Sequence, residues 1–273
     1  MRLLLAQLAP TPGEVGRNTA RVAEIVRVAS ADVAVFPELY LSGYRIGDRF
    51  HRLALREDDA PTEVLRAAAR ETKTTIVVGA PVVSAERAGE VHNAAVAVLP
   101  SEEVFVQVKR YLPTFGPFEE GVQFTPAESS RPVVIGHHAV GLEVCYDVFF
   151  PEVARQLALA GSELLINISA APVTSRRLFD RLLPARAIEN ALPVVYVNRV
   201  GVEDGIVFGG GSGAWDARGE PLTVTPLSAV RTGPDETVGA VEIDPTESAR
   251  WRPFRPVLRD IASRPGAPAP TSL

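Results

Sequence analysis

Cysteine is nearly missing from this chain: Cys145 is the single one among 273 residues. No intramolecular disulfide can form, and the composition suits a reducing compartment. Histidine is scarce as well, with His51, His92, His137 and His138 the whole supply. None lies in a Cys-His or metal-binding motif, and His137 and His138 are neighbours near a strand start, where adjacent side chains point to opposite faces. No metal site is expected. Long apolar runs are absent too. The opening Met1 to Ala6 looks superficially like a signal sequence, but Gln7 and Pro10 cut it short. Nothing later approaches the roughly 18 apolar residues of a membrane span. There is no long basic block, and 28 Lys and Arg against 33 Asp and Glu give a formal charge of −5. That argues against nucleic-acid or anionic-membrane partners. The expectation is a soluble, cytoplasmic protein whose partner is a small molecule or another protein.

What is present is a large apolar fraction, 46%, enough for one α/β domain with a substantial core. Short β-branched runs alternate with helix-period segments. Strands are expected at Leu3 to Leu8, Val33 to Phe36, Thr75 to Val78, Asn93 to Leu99, Val104 to Val108, Ala139 to Val144, Leu164 to Ile168 and Val194 to Val197. Asn18 is read as the cap of a first helix bearing Val22, Ile25 and Val26. Pro61 opens a second, running to about Glu71. Further helices are expected over Pro151 to Ala160 and within Arg176 to Ala191, where Pro184 predicts a kink or an early stop. Gly209 to Gly213 reads as a tight turn. It lacks the arrangement and the lysine of a phosphate loop. The domain is expected to span residues 1–263, with 264–273 a Pro- and Ala-rich disordered tail.

Three reactive side chains fall at equivalent places. Glu38 follows the strand ending at Phe36, Lys109 the strand ending at Val108, and Cys145 the strand ending at Val144. In open α/β sheets ligand sites form at that carboxyl edge. Cys145 sits at a strand-to-helix elbow, where helix-end N–H groups and a nearby lysine are expected to stabilise a thiolate. Taken singly, each has a bland reading: inert packing for the cysteine, a solvated carboxylate for Glu38, a surface charge for Lys109.

Local sequence changes that balance. Val35-Phe36-Pro37-Glu38 with Ser42-Gly43-Tyr44, then Lys109-Arg110-Tyr111-Leu112-Pro113, then Gly141-Leu142-Glu143-Val144-Cys145-Tyr146-Asp147 with Phe150-Pro151-Glu152, resemble the three motifs of the nitrilase superfamily of carbon-nitrogen hydrolases, in the family's order. The resemblance implies a four-layer αββα sandwich that dimerises or forms a higher homo-oligomer and needs no cofactor. It also implies a thiol reaction on a small amide substrate: Cys145 as nucleophile, Glu38 as general base, and Lys109 with the Tyr146 backbone N–H stabilising the oxyanion. Glu120 is a fourth catalytic candidate, with Glu119 adjacent to it. Cys145-Tyr146-Asp147 looks like the amidase and carbamoylase branches. The segments Lys109 to Phe124 and Val195 to Ser212 resemble the glutaminase domain of glutamine-dependent NAD synthetases. Ala170-Ala171-Pro172 stands where those glutaminases are serine-rich, and Arg176 is a candidate for a substrate carboxylate. Three alternatives remain: an N-carbamoyl amide hydrolase, a glutaminase-type subunit feeding ammonia to a partner synthetase, and a non-catalytic binding protein. Phe149, Phe150, Tyr44, Phe115 and Phe118 either line a pocket or belong to the core.

Overall fold

The computed structural model describes residues 1–263; the expected tail lies outside them. Five strands come from the first half: β1 (Arg2–Gln7), β2 (Val33–Val35), β3 (Thr75–Val83), β4 (Val91–Val98) and β5 (Val104–Val108). The middle supplies β6 (Val133–Ile135), β7 (His138–Val144), β8 (Leu164–Ser169) and β9 (Val194–Asn198). Then follow β10 (Val200–Glu203), β11 (Ile206–Gly209), β12 (Gly213–Trp215), β13 (Thr225–Pro226) and β14 (Thr237–Glu242). They assemble as one sheet of order β13-β14-β1-β2-β3-β4-β5, a second of order β12-β9-β8-β7-β6, and a separate β10-β11 ribbon.

Each sheet is built around a parallel triple with two crossover helices. β1, β2 and β3 run parallel, linked by helices Val15–Val28 and Ala60–Thr72. β7, β8 and β9 run parallel, linked by helices Pro151–Leu159 and Arg176–Asn190. Strand alternation then fixes the layers. Leu4 and Ala6 pack outward with Val22, Ile25 and Leu65 of the first helix pair. Leu3 and Leu5 point inward to meet Leu142, Val144, Ile166 and Val197 of the other sheet. The far face of that sheet packs Leu165, Val194 and Tyr196 against Leu157, Phe179 and Leu183. This is the expected αββα sandwich, with β2 and β7 bringing their carboxyl ends to the same region.

Two local expectations are corrected. Asn18 does not cap the first helix, which begins at Val15 after Glu14. It lies inside the helix, buried, donating to the carbonyls of Thr11 and Leu41 and accepting from the Thr11 N–H, so it ties two loops together. Pro184 does not stop its helix, which continues to Asn190. Burial of Phe179, Leu183 and Ala187 on both sides of it outweighs the one backbone hydrogen bond a proline removes.

Candidate active site

Glu38 follows β2 in a turn whose next residue, Leu39, has φ +48°. The turn is seated on β3 at Gly79, where a Cβ would lie 2.4 Å from Glu38 Cα, Leu39 N and the Pro37 carbonyl oxygen. Only glycine lets the two backbones approach this closely. Glu38 itself is fully buried, yet both its oxygens are solvated by protein. Oε1 accepts from Lys109 Nζ at 2.7 Å and Asn93 Nδ2 at 2.8 Å; Oε2 accepts from the Ala170 N–H at 2.7 Å.

Lys109 leaves the end of β5, its N–H bonded to the Asn93 carbonyl at 2.8 Å. Its ammonium is fully buried between two carboxylates, Glu38 and, at 2.8 Å, Glu120 Oε1. Burial alone would pull the lysine pKa down, but Glu120 and Glu38 hold it above the ordinary value. Glu120 opens the short helix Glu120–Gln123. It also accepts from the Tyr44 hydroxyl and, at 3.2 Å, from Asn93 Nδ2. Burial pushes its pKa up, with Glu38 adding to the rise and Lys109 opposing it. Between the two adjacent glutamates the geometry selects Glu120: Glu119 is exposed.

Cys145 follows β7 with φ +48°, a left-handed conformation that costs a non-glycine residue about 1 to 3 kcal/mol. The strain turns the chain sharply into the short 3-10 helix Cys145–Phe149 and leaves the cysteine partly exposed. As the second residue of that helix, Tyr146 has a backbone N–H with no intrahelical acceptor. Asp147 fastens the elbow: its carboxylate accepts from the Val144 N–H at 3.2 Å, the Arg110 N–H at 3.1 Å and the Tyr111 N–H at 2.9 Å. One buried side chain thus joins the segment just before the thiol to the one just after Lys109.

The stabilisation expected from a nearby lysine and a backbone N–H is present but outweighed. Burial, then the negative charge of Glu38, push the Cys145 pKa well above its ordinary value, and the opposing pull of Lys109 and the Ala170 N–H does not compensate. The cysteine rests as a thiol, and the Ala170 N–H serves both it and Glu38. Asn93 is the component that sequence reasoning did not name, and the roles of Ala170, Tyr44 and Asp147, though these lie in the quoted segments, were not read. Asn93 carried a weak signal, an amide inside an otherwise apolar strand.

Arg176 is half-exposed at the start of its helix, donating to the Gly209 carbonyl at 3.1 Å and lying 4.0 Å from Asp180. It makes no hydrogen bond or ion pair with Glu38, Lys109, Glu120 or Cys145. His51 and His137 are exposed, while His92 meets the Thr125 carbonyl and His138 meets Glu163. A cavity of about 210 Å³ adjoins the cluster on the Glu120 side, bounded by Leu39, Tyr44, Arg45, Phe50, Phe124 and Asp204.

The αββα sandwich matches that of a solved amidase from the nitrilase superfamily. Residues 3–253 match the family model described as carbon-nitrogen hydrolase, and the chain belongs to that family. It is 35% identical to a glutamine-dependent NAD(+) synthetase of Thermotoga maritima over 258 residues, 92% of this chain but 43% of that protein. The chain therefore spans less than half of that relative. It is 32% identical to an (R)-stereoselective amidase of Pseudomonas sp., covering 89% of this chain and 85% of the relative. A solved amidase mutant from Nesterenkonia sp. AN1 carries the acetamide moiety of fluoroacetamide on its active-site cysteine. It superposes with a TM-score of 0.74 at 28% identity, covering 93% of this chain and 94% of that one.

Proposed function

We propose that this carbon-nitrogen hydrolase cleaves a small amide to a carboxylic acid and ammonia through a thioester on Cys145. The observation that carries the reading is the buried carboxylate of Glu38, held by Lys109, Asn93 and the Ala170 N–H, the last of which also serves the Cys145 thiol. Glu38 takes the thiol proton as sulfur attacks the amide carbon. Negative charge then develops on the former carbonyl oxygen, where the Lys109 ammonium and the Tyr146 N–H stabilise it. As the carbon-nitrogen bond breaks, Glu38 passes its proton to the departing nitrogen and ammonia leaves. Glu38 next takes a proton from water, whose oxygen attacks the thioester. The carbon-sulfur bond breaks, the sulfur recovers the proton, and the acid is released. Glu120, held by Tyr44 and Asn93, orients Lys109.

The test is ammonia release from a panel of aliphatic amides, ω-amides and carbamoyl compounds by wild-type and Cys145→Ala protein, with intact-mass detection of an acyl adduct. Release abolished in Cys145→Ala, with an acyl adduct on wild type alone, is expected. Undiminished release from Cys145→Ala contradicts the thiol reaction, and carbon dioxide accompanying ammonia supports the carbamoyl alternative. The similarity to NAD synthetase glutaminase regions supports a second reading, an ammonia-supplying subunit. Release that appears only with a partner synthetase present is its signature.

A further inference from the structure

A second buried ion pair lies outside the cluster that the proposed reaction uses. Arg199, just before β10, is 1% exposed and Glu203, at the end of β10, is 6% exposed, and the two pair with each other. Burying such a pair adds little to stability, because desolvation offsets the attraction. Arg199 Nε even lacks a hydrogen-bond partner among the described residues. What Glu203 holds is the turn after Glu38. Its Oε1 accepts from the Tyr44 N–H at 2.9 Å and the Arg45 N–H at 2.7 Å, while Oε2 takes Arg199. The Tyr44 hydroxyl donates to Glu120, which holds Lys109 Nζ at 2.8 Å. Arg199 supports the same tyrosine by a second route: its guanidinium lies 4.0 Å from the centre of the Phe208 ring, and that ring meets Tyr44 at 6.0 Å and 62°. Gly43 lets the turn come this close. Its φ is +86°, and a Cβ there would lie 3.0 Å from Glu203 Oε1.

We infer, resting on the amidase reading above, that Arg199 and Glu203 are positioning residues: they hold the Tyr44 main chain so that its hydroxyl keeps Glu120, and with it the Lys109 ammonium, in place for the developing oxyanion. The contacts run from Arg199 through Glu203, Tyr44 and Glu120 to Lys109, each link a hydrogen bond or an ion pair. Apolar side chains could not do this, because one oxygen must accept from two main-chain N–H groups while the other is anchored. The hairpin that carries both charges turns tightly at Asp204 and Gly205, both with positive φ, which sets where Glu203 stands.

The experiment is a mutant cycle on the panel amide that wild type turns over fastest, with kcat counted per molecule that forms the acyl adduct. Its four proteins are wild type, Arg199→Met/Glu203→Ala, Tyr44→Phe and the combination. Removing both charges together leaves no buried charge unpaired. Arg199→Met/Glu203→Ala should lower kcat by about tenfold to a hundredfold, the scale of a misplacement approaching 1 Å. It should lower kcat/KM equally, the signature of an interaction made only in the transition state. In the Tyr44→Phe background, where no hydroxyl is left to position, the same change should alter kcat by less than about twofold. A full loss that persists in Tyr44→Phe, an unchanged kcat in Arg199→Met/Glu203→Ala, or an effect confined to KM overturns this inference and leaves the thiol amidase intact. If the paired variant does not fold, Glu203→Gln decides by the same criteria. Ammonia from no panel compound with wild type, and no adduct on Cys145, overturns the amidase reading and this inference together.

Discussion

Two buried glutamates flank the Cys145 turn, and the protein treats them oppositely. Glu38 is 0% exposed and Glu143 is 1% exposed, so burial does not separate them. Donors do. Glu38 receives an ammonium, a side-chain amide and a backbone N–H, whereas among the described residues Glu143 has only the Asn167 side chain near it as a donor, without a well-formed hydrogen bond. Burial, reinforced by Asp147 and opposed by Arg186, pushes Glu143 up to about 8. Burial favours the neutral form of a carboxylate, and hydrogen-bond donors oppose that preference. Strand alternation decides which glutamate meets the reaction. Val144 and Leu142 face the inter-sheet core, so Glu143 faces the helix layer, away from Lys109.

The largest effect that probes this contrast comes from Glu38→Gln, which keeps the shape and removes the proposed base. Ammonia release should fall by about 10²- to 10⁴-fold in kcat, and a loss below tenfold would place the base elsewhere. Gly79→Ala comes next. Its Cβ meets only backbone of the Glu38 turn at 2.4 Å, so the turn must move, and a misplacement near 1 Å costs about a hundredfold. Unchanged kcat in Gly79→Ala would show that Glu38 needs no such placement. Tyr44→Phe removes one donor from Glu120 and should destabilise the fold by about 1.5 to 3 kcal/mol, the scale for a hydrogen bond to a charged group. Denaturant unfolding measures it.

Glu143→Gln has the smallest effect on turnover, and its signature is in stability against pH. The folded pKa, about 8, lies above the ordinary 4.5. The folded state therefore holds this proton more tightly, and wild type loses stability as pH rises from 4.5 through 8. Gln lacks that loss, so the stability of Glu143→Gln relative to wild type should rise across the window, by at most about 1.4 kcal/mol per pH unit. A relative stability that falls with rising pH would mean that Glu143 is charged and paired.

The same contrast explains what could be read from sequence. Glu38, Lys109 and Cys145 were legible because each ends a strand within a recognisable motif, and strand ends at one sheet edge converge. The parallel strands and long crossover helices were legible from β-branched runs and helical periodicity. The roles of Asn93, Tyr44 and the Ala170 N–H were not, since they exist only after β4, the 39–44 turn and the segment after β8 meet in space. The sense of the Cys145 pKa was misread for a related reason. A local elbow suggests stabilising dipoles, while burial by the folded chain, and then the charge of Glu38 from 107 positions away in sequence, push the other way. Short strands such as β12 and β13, with three and two residues, carry too little periodicity to find.

In the proposed reaction Glu38 takes the proton of a neutral thiol only as sulfur attacks. Ultraviolet titration of the thiolate in wild type and Glu38→Gln, with Cys145→Ser as blank, tests that order. No thiolate is expected in wild type at neutral pH, with a rise only above the ordinary cysteine value of 9.0. In Glu38→Gln the titration moves to lower pH, because the repelling charge is gone and Lys109 remains. A thiolate already present at neutral pH in wild type, or a titration that moves to higher pH in Glu38→Gln, would contradict it.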